Sequence, residues 1–315
     1  MARYIVGRLA GAVFVLLSVS FLTFFLMYNT PGGPYEELNQ PLSPEAKANM
    51  LRKYGLDRPF YVNWWEWLNK AIRGDFGESY YYPNVSVVEL FTRYWGSSLL
   101  LGVLSLAWSF PLGIVLGVIA ALKRNTIIDQ ILTTFALATI TLPQISIIFF
   151  GIAIFVISLK WFTFSNGLAF HLQPASAMIL PVFLFGVGTV GQLTRYIRSG
   201  MLDVLGQDYI RTARAKGVKR FMVIMKHAMR NMLIPIVTIF GPVVANIVTG
   251  SIYVEIAFAI PGVGRYFLGS IFNRDYPLII FTVIITAVVL TVSNLLIDLS
   301  YTLIDPRVRL GGASK

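Results

Sequence analysis

Residues 207–235 read QDYIRTARAKGVKRFMVIMKHAMRNMLIP, the most basic stretch of an otherwise apolar chain. Arg211, Arg214, Lys216, Lys219, Arg220, Lys226 and Arg230 stand there against one acid, Asp208. Apolar residues persist at helical spacing, first Tyr209, Ile210 and Ala213, then Phe221, Met222, Met225 and Met229. Gly217 separates the two sets, where a helix can end and a turn begin. The pattern predicts helix, turn, helix, lying outside the membrane between two spanning segments. A preference for positive charge in cytoplasmic loops explains the charge, but not an alanine and a glycine at fixed spacing or the apolar stripe.

The rest of the chain supplies the membrane. Its 315 residues are 56% apolar and 13% charged, with a mean hydropathy of +0.69. A soluble domain of this length needs far more polar surface, so an integral membrane protein is expected. With no cysteine, disulfides and thiolate metal sites are excluded, and the redox compartment cannot be read.

Arg3 and Arg8 precede an apolar run from about 9 to 27. It is too long for a signal core and no small-x-small cleavage site follows, so it is read as an uncleaved first span with a cytoplasmic N-terminus. Gly7 and Gly11 form a G-x-x-x-G, a spacing common by chance. Thr30-Pro31-Gly32-Gly33-Pro34 breaks the helix, and residues 30–96 read as amphipathic. One helix starts at Ser43-Pro44-Glu45 and ends at Gly55. A second, about 59–73, puts Phe60, Trp64, Leu68 and Ile72 on one face. Its tryptophans suit a membrane interface or a small packed subdomain. Gly74 to Ser79 is a loop, and Asn84 is expected to cap a short helix leading to Gly96. Five more segments, near 98–122, 131–159, 175–192, 233–256 and 278–304, can each cross about 30 Å of hydrocarbon. Pro143, Pro181 and Pro242 imply kinks within the third, fourth and fifth spans.

Six spans place both termini on one side. The N-terminus, the Lys123-Arg124 turn, residues 195–230 and the tail from Arg307 hold 16 basic residues and, with Asp129, Asp298 and Asp305 included, 5 acids, against 10 basic and 10 acidic residues opposite. The whole net charge of +11 lies on one face, which is therefore the cytoplasmic one. That distribution also argues against nucleic acid, since no aromatic-basic stacking motif accompanies it. No phosphate-binding G-x-x-x-x-G-K-[ST], H-E-x-x-H or G-x-S-x-G is present. His171 and His227 are separate, so zinc or thiol catalysis is not indicated.

The basic stretch resembles the cytoplasmic coupling loop of bacterial ABC importer permeases, whose A-x3-G core is followed ten residues later by an apolar run. Ala213, Gly217 and His227-Ala228-Met229 fill those places. YIRTARAKG followed by HAMRNMLIP is similar to the dipeptide and oligopeptide branch, and most to its first permease. Arg211 stands where the general pattern has an acid, as is frequent in that branch. Pro31-Gly32-Gly33-Pro34, Gly55-Leu56-Asp57-Arg58-Pro59, Gly74 to Ser79 and the closing NLLIDLSYTLIDPRVR follow the family order; Gly33 replaces a usual aspartate. Glu255, Phe258, Pro261, Gly262 and Gly264 resemble the family's E-x-x-F-x-x-PG-G segment, read as a re-entrant outer loop or as an ordinary loop with Glu255 at the interface.

The resemblance implies an all-α integral membrane protein. It has six transmembrane helices, a helical extracytoplasmic insertion between spans 1 and 2, and a cytoplasmic coupling-helix loop between spans 4 and 5. The expected divisions are 1–29, 30–96, a permease core at 97–305 with the coupling loop at about 203–232, and a tail at 306–315. It implies alternating-access import of peptides across the bacterial plasma membrane. The chain has no ATPase site or cofactor of its own, ATP and Mg being bound by two ATP-binding partner subunits. A second homologous permease, an extracytoplasmic solute-binding protein and membrane lipid complete the expected partners, with no nucleic acid. Asp208, Tyr209, Arg211, Thr212, Ala213, Ala215, Lys216 and Gly217 are expected to meet the ATPase subunit, with the small Ala213 and Gly217 permitting close approach. Gln144, Asn246, Glu255, Phe258, Pro261 and Gly262 are candidates for the pathway or outer gate. Gln192 and Thr249 are further polar residues in the spans, and Asp298 is expected to bond Asn294 or the tail arginines. Oligosaccharides or nickel chelates are alternative cargoes. A secondary transporter, the competing class, needs ionisable groups at membrane depth and related halves, neither of which is evident.

Overall fold

The computed structural model describes residues 2–30, 57–164 and 170–304, with isolated positions 45, 48, 49, 52, 55 and 168. The helices are α1 (Ala2–Asn29), α2 (Phe60–Ala71), α3 (Val87–Leu122), α4 (Ile127–Thr141), α5 (Gln144–Gly151), α6 (Ala175–Leu205), α7 (Asp208–Ala215), α8 (Met229–Thr249), α9 (Ile252–Ala257), α10 (Val263–Phe272) and α11 (Tyr276–Ile304). A π-helical turn, Ile152–Ser158, extends α5, and Arg220–Met222 with the π-helical Val223–Ala228 leads into α8. Among the described residues α1, α3, α6 and α11 are long and apolar enough to cross a membrane, and the bent α4–α5 pair makes a fifth. Several side chains of α8 lie outside the described set.

The centre of the bundle is the pair α3 and α6, which run side by side in the same direction. Ser97 Oγ accepts the Phe170 N–H at 3.1 Å just before α6. Further along, Ser105 Oγ and Trp108 Nε1 both donate to the Val182 carbonyl, at 2.9 and 3.2 Å. Gly113 and Gly117 then lie against Leu193 and Ile197. A Cβ on Gly117 would stand 2.6 Å from Cβ of Ile197, so the close approach depends on glycine there. Helix α8 runs antiparallel to both, with Ile247 against Gly102 and Met232 against Gly200. Helix α11 antiparallels α1: Phe24 and Met27 pack with Tyr276 and Ile280 at one end, and Arg8 pairs with Asp298 at 2.7 Å at the other. The start of α1 and the end of α11 thus share one end of the bundle with α7.

Several expectations change. Asn84 does not cap a helix; it has φ +60°. Ser86 is the cap, its side chain accepting from the Val88 N–H, and the helix continues past Gly96 for 36 residues as α3. Pro143 does more than kink the third span. Its missing N–H and the extended conformation of Leu142 end α4, and α5 leaves at 106°. Pro181 sits inside a continuous α6, as does Pro111 in α3. Asp298 bonds Arg8 of α1. The helix expected at 43–55, the Pro31–Pro34 break and the tail lie outside the described residues.

Helix α2 packs against the second half of α1. Trp64 Nε1 donates to Ser20 Oγ at 3.0 Å, and its ring meets Phe21 edge-on at 5.3 Å. Asn63 Nδ2 donates to Tyr28 Oη at 2.5 Å. Trp65 stays 59% exposed. The subdomain is therefore packed on the bundle and still presents an indole outward, as an amphipathic side chain at an interface can.

A candidate coupling helix and a carboxylate-tied loop

Helix α7 has two contrasting faces. Ile210 (0% exposed) and Ala213 (7%) turn inward onto Ile197, Met201, Val223 and Met232. The small Ala213 side chain packs within the chain here. Fully burying a residue of isoleucine size contributes roughly 1.5–3 kcal/mol, which fixes α7 on the bundle. Asp208, Tyr209, Arg211, Thr212, Ala215, Lys216 and Gly217 are all exposed. Arg211 and Asp208 lie 3.6 Å apart with side chains 75% and 96% exposed, a pairing that contributes little. The Tyr209 hydroxyl accepts from Asn231 Nδ2 at 2.5 Å, linking α7 to the start of α8.

Gly217 closes α7. The Gly217 N–H reaches the Arg214 carbonyl at 2.9 Å and the Val218 N–H reaches the Ala213 carbonyl at 3.2 Å. These two bonds satisfy carbonyls that a helix end leaves free, and the turn requires a left-handed residue. Gly217 has φ +74°, with nothing within 4 Å of where a Cβ would stand. Its backbone angle, and not crowding inside this chain, demands glycine.

At the opposite end, Glu255 is fully buried. Its Oε1 accepts from Ser98 Oγ at 2.7 Å and its Oε2 from the Arg265 N–H at 3.0 Å. Ser98 Oγ also accepts the Val263 N–H at 2.8 Å. Ser98 and Glu255 together occupy two of the free N–H groups at the start of α10, as a local capping side chain does elsewhere. Gly262 and Gly264 lie against the carboxylate, where a Cβ would collide with it or crowd it. Phe258 is also fully buried, within a cluster of Leu101, Ile148, Leu180 and Ile260. Pro261 is half-buried and Gly262 buried. Glu255, Phe258, Pro261 and Gly262 thus come together as one packed turn, buried except at Pro261. Gln144 sits at the bend between α4 and α5, and the Asn246 side chain lies outside the described residues.

Three polar contacts have no local signal in sequence. Ser98 meets Glu255 from 157 residues away. Arg198 of α6 forks onto Asp129 of α4, Nε to Oδ1 at 2.5 Å and Nη2 to Oδ2 at 2.8 Å. Asp275, fully buried before α11, accepts from the Ser79 hydroxyl and from the Tyr80 N–H at 2.9 Å. Burial raises the Asp275 carboxyl above its ordinary range, partly offset by those two bonds. Among the described residues no cluster of acids and histidines could hold a metal ion.

Two family profiles match the chain. One, described as "Binding-protein-dependent transport system inner membrane component", covers residues 113–310, and its N-terminal companion covers 1–82. The chain is 39% identical to the dipeptide transport system permease protein DppB of Bacillus subtilis over 98% of this chain and 99% of that one. It is 36% identical to the oligopeptide transport system permease protein AppB of the same organism, again over 98% and 99%. It is 33% identical to the glutathione transport system permease protein GsiC of Shigella flexneri over the same shares. On these matches, spanning both ends of the bundle, the chain belongs to the family of binding-protein-dependent transport system inner membrane components.

Proposed function

We propose that this chain is a permease subunit of an ATP-driven ABC importer that carries dipeptides and oligopeptides across the bacterial plasma membrane by alternating access. The names of its relatives support the cargo. The observation that carries the mechanism is α7, held to the bundle by Ile210 and Ala213 while its polar and basic face stays free. Such a helix transmits a push from a docked ATP-binding subunit as a rigid body. Two of those subunits, binding ATP and Mg, a second related permease and an extracytoplasmic solute-binding protein complete the complex. Asp208, Tyr209, Arg211, Thr212, Ala215, Lys216 and Gly217 form the docking face.

The topology that goes with this reading has six spans, α8 being the fifth, with both termini and α7 in the cytoplasm. The charge split of 16 basic residues against 10 supports that orientation. Residues 1–29 form the first span, 30–96 the extracytoplasmic region, 97–305 the core and 306–315 the tail. Co-expression with a second permease, ATP-binding subunits and a solute-binding protein from the same genome, followed by uptake in proteoliposomes, tests the proposal. Peptide uptake that requires ATP and the binding protein is the expected result. Uptake driven by an ion gradient without ATP would make the chain a secondary transporter and defeat it.

A further inference from the structure

A recess of about 70 Å³ opens between α3, α6 and α8. Ser105 and Ser109 line it from α3, one turn apart, and Thr189 and Gln192 from α6, three residues apart, so each pair shares a helix face. Ile247 of α8 forms part of the apolar wall. The four polar groups are uncharged and sit in helices apolar enough to cross a membrane.

Their hydrogen bonding is uneven. Ser105 Oγ contacts the Leu101 carbonyl at 2.7 Å and the Val182 carbonyl at 2.9 Å. Ser109, 1% exposed, has no hydrogen-bond partner among the described residues. A helical serine commonly bonds the carbonyl one turn back, as Ser105 does, and a buried hydroxyl left without a partner is unfavourable. Buried polar groups of this kind call for an explanation, and a ligand group is one. The volume suits one planar amide, or about two waters at ~30 Å³ each.

We propose that this recess is a solute subsite holding one peptide unit of the passing cargo, which rests on the peptide-importer reading above. Ser109 supplies a hydroxyl donor for the peptide carbonyl. Gln192 and Thr189 supply acceptors for its N–H. Neutral groups aimed at the main chain recognise every peptide alike and leave its side chains unread, which suits cargo of varied sequence. The candidates Glu255 and Phe258 do not offer this, because the Glu255 oxygens already accept from Ser98 and the Arg265 N–H and Phe258 has no polar side-chain group.

The chain has no cysteine, so single cysteines report cleanly. Ser109→Cys, Thr189→Cys and, as a control on α3 outside the recess, Val115→Cys (52% exposed) are placed in the assembled complex. They are treated with a charged methanethiosulfonate during ATP turnover. Positions 109 and 189 should label and position 115 should not. A transported tripeptide should slow labelling at both at least threefold, and its backbone N-methylated analogue much less. Ser109→Ala should raise the KM for uptake severalfold with little change in maximal rate. Unreactive cysteines at 109 and 189, or equal protection by both peptides, in a complex that imports peptide would overturn the subsite alone. A wild-type complex that imports no peptide overturns the cargo reading, and the occupant proposed here with it.

Discussion

Ser98 Oγ, on α3, lies 2.7 Å from Glu255 Oε1, on α9, and the same oxygen accepts the Val263 N–H of α10. One hydroxyl therefore joins a membrane helix to both short helices of the turn. Glu255 completes the knot through the Arg265 N–H. No cation pairs with this carboxylate among the described residues, so its buried oxygens depend on these donors.

Ser98→Ala removes the donor to Glu255 and strands the Val263 N–H. Each buried group left unsatisfied costs about 1–3 kcal/mol. The expected result is a lower melting temperature of the detergent-solubilised complex and faster proteolysis between Phe258 and Arg265. Glu255→Ala should be at least as severe, because it frees Ser98 and the start of α10 together. A melting curve for Ser98→Ala that overlays wild type would mean that the turn is held by packing alone.

Asp275 gives a pH dependence. Burial raises its native pKa above the unfolded value, so the folded chain holds this proton more tightly. Stability from this site is greatest below the unfolded carboxylate value, about 4, and falls as pH rises through the native pKa. Asp275→Asn keeps the shape and cannot titrate. Stability against unfolding, measured from about pH 4 upward, should decline in wild type relative to the variant. Parallel curves would show that Asp275 titrates normally.

The close contact of α3 with α6 can be tested by volume. Gly117→Ala would place a Cβ 2.6 Å from the β-branched Ile197, whose stiff side chain cannot swing away. Overpacking of this kind costs roughly 1–3 kcal/mol. Lower yield of folded complex is expected, with partial rescue by Ile197→Ala in the same chain. Wild-type behaviour of Gly117→Ala would mean that the two helices can separate freely there.

The sequence carries the helical architecture well because its signals are local. The apolar runs, the glycine at 217 and the proline after Leu142 each act within a turn of the chain. Even so, Pro143 was legible only as a kink, because proline alone does not say whether the helix resumes in line or at 106°. The site was less legible. Glu255 stands out as a carboxylate near a span end, but its partner Ser98 is an ordinary serine 157 residues earlier. Ala213 reads equally as a contact for a partner or for the core, and its packing in one cluster with Met201 and Met232 has no local signal in the sequence. Ser109 differs from Ser105 only in what surrounds it.

Gly217→Leu should uncouple transport from ATP hydrolysis. Gly217 has φ +74°, and a residue with a Cβ is strained there by about 1–2 kcal/mol. Nothing of this chain lies within 4 Å of the new Cβ, so the bundle should still fold and insert. The strain acts on the two bonds that close α7, and the added side chain projects toward any docked subunit. Asparagine separates the two effects, since it tolerates the left-handed conformation but is bulky. If α7 closure is what matters, Gly217→Asn should retain more coupled uptake than Gly217→Ala. If room for the partner matters, alanine should be the better of the two and both bulky variants should fail. Lys219→Ala should do much less than Gly217→Leu, because one exposed ion pair contributes only about 0–1 kcal/mol. Uptake and solute-stimulated ATP hydrolysis, measured on the four variants in reconstituted vesicles, decide the matter. Normal coupling in Gly217→Leu together with failure of Lys219→Ala would make the α7 surface a charged patch and defeat the packing account.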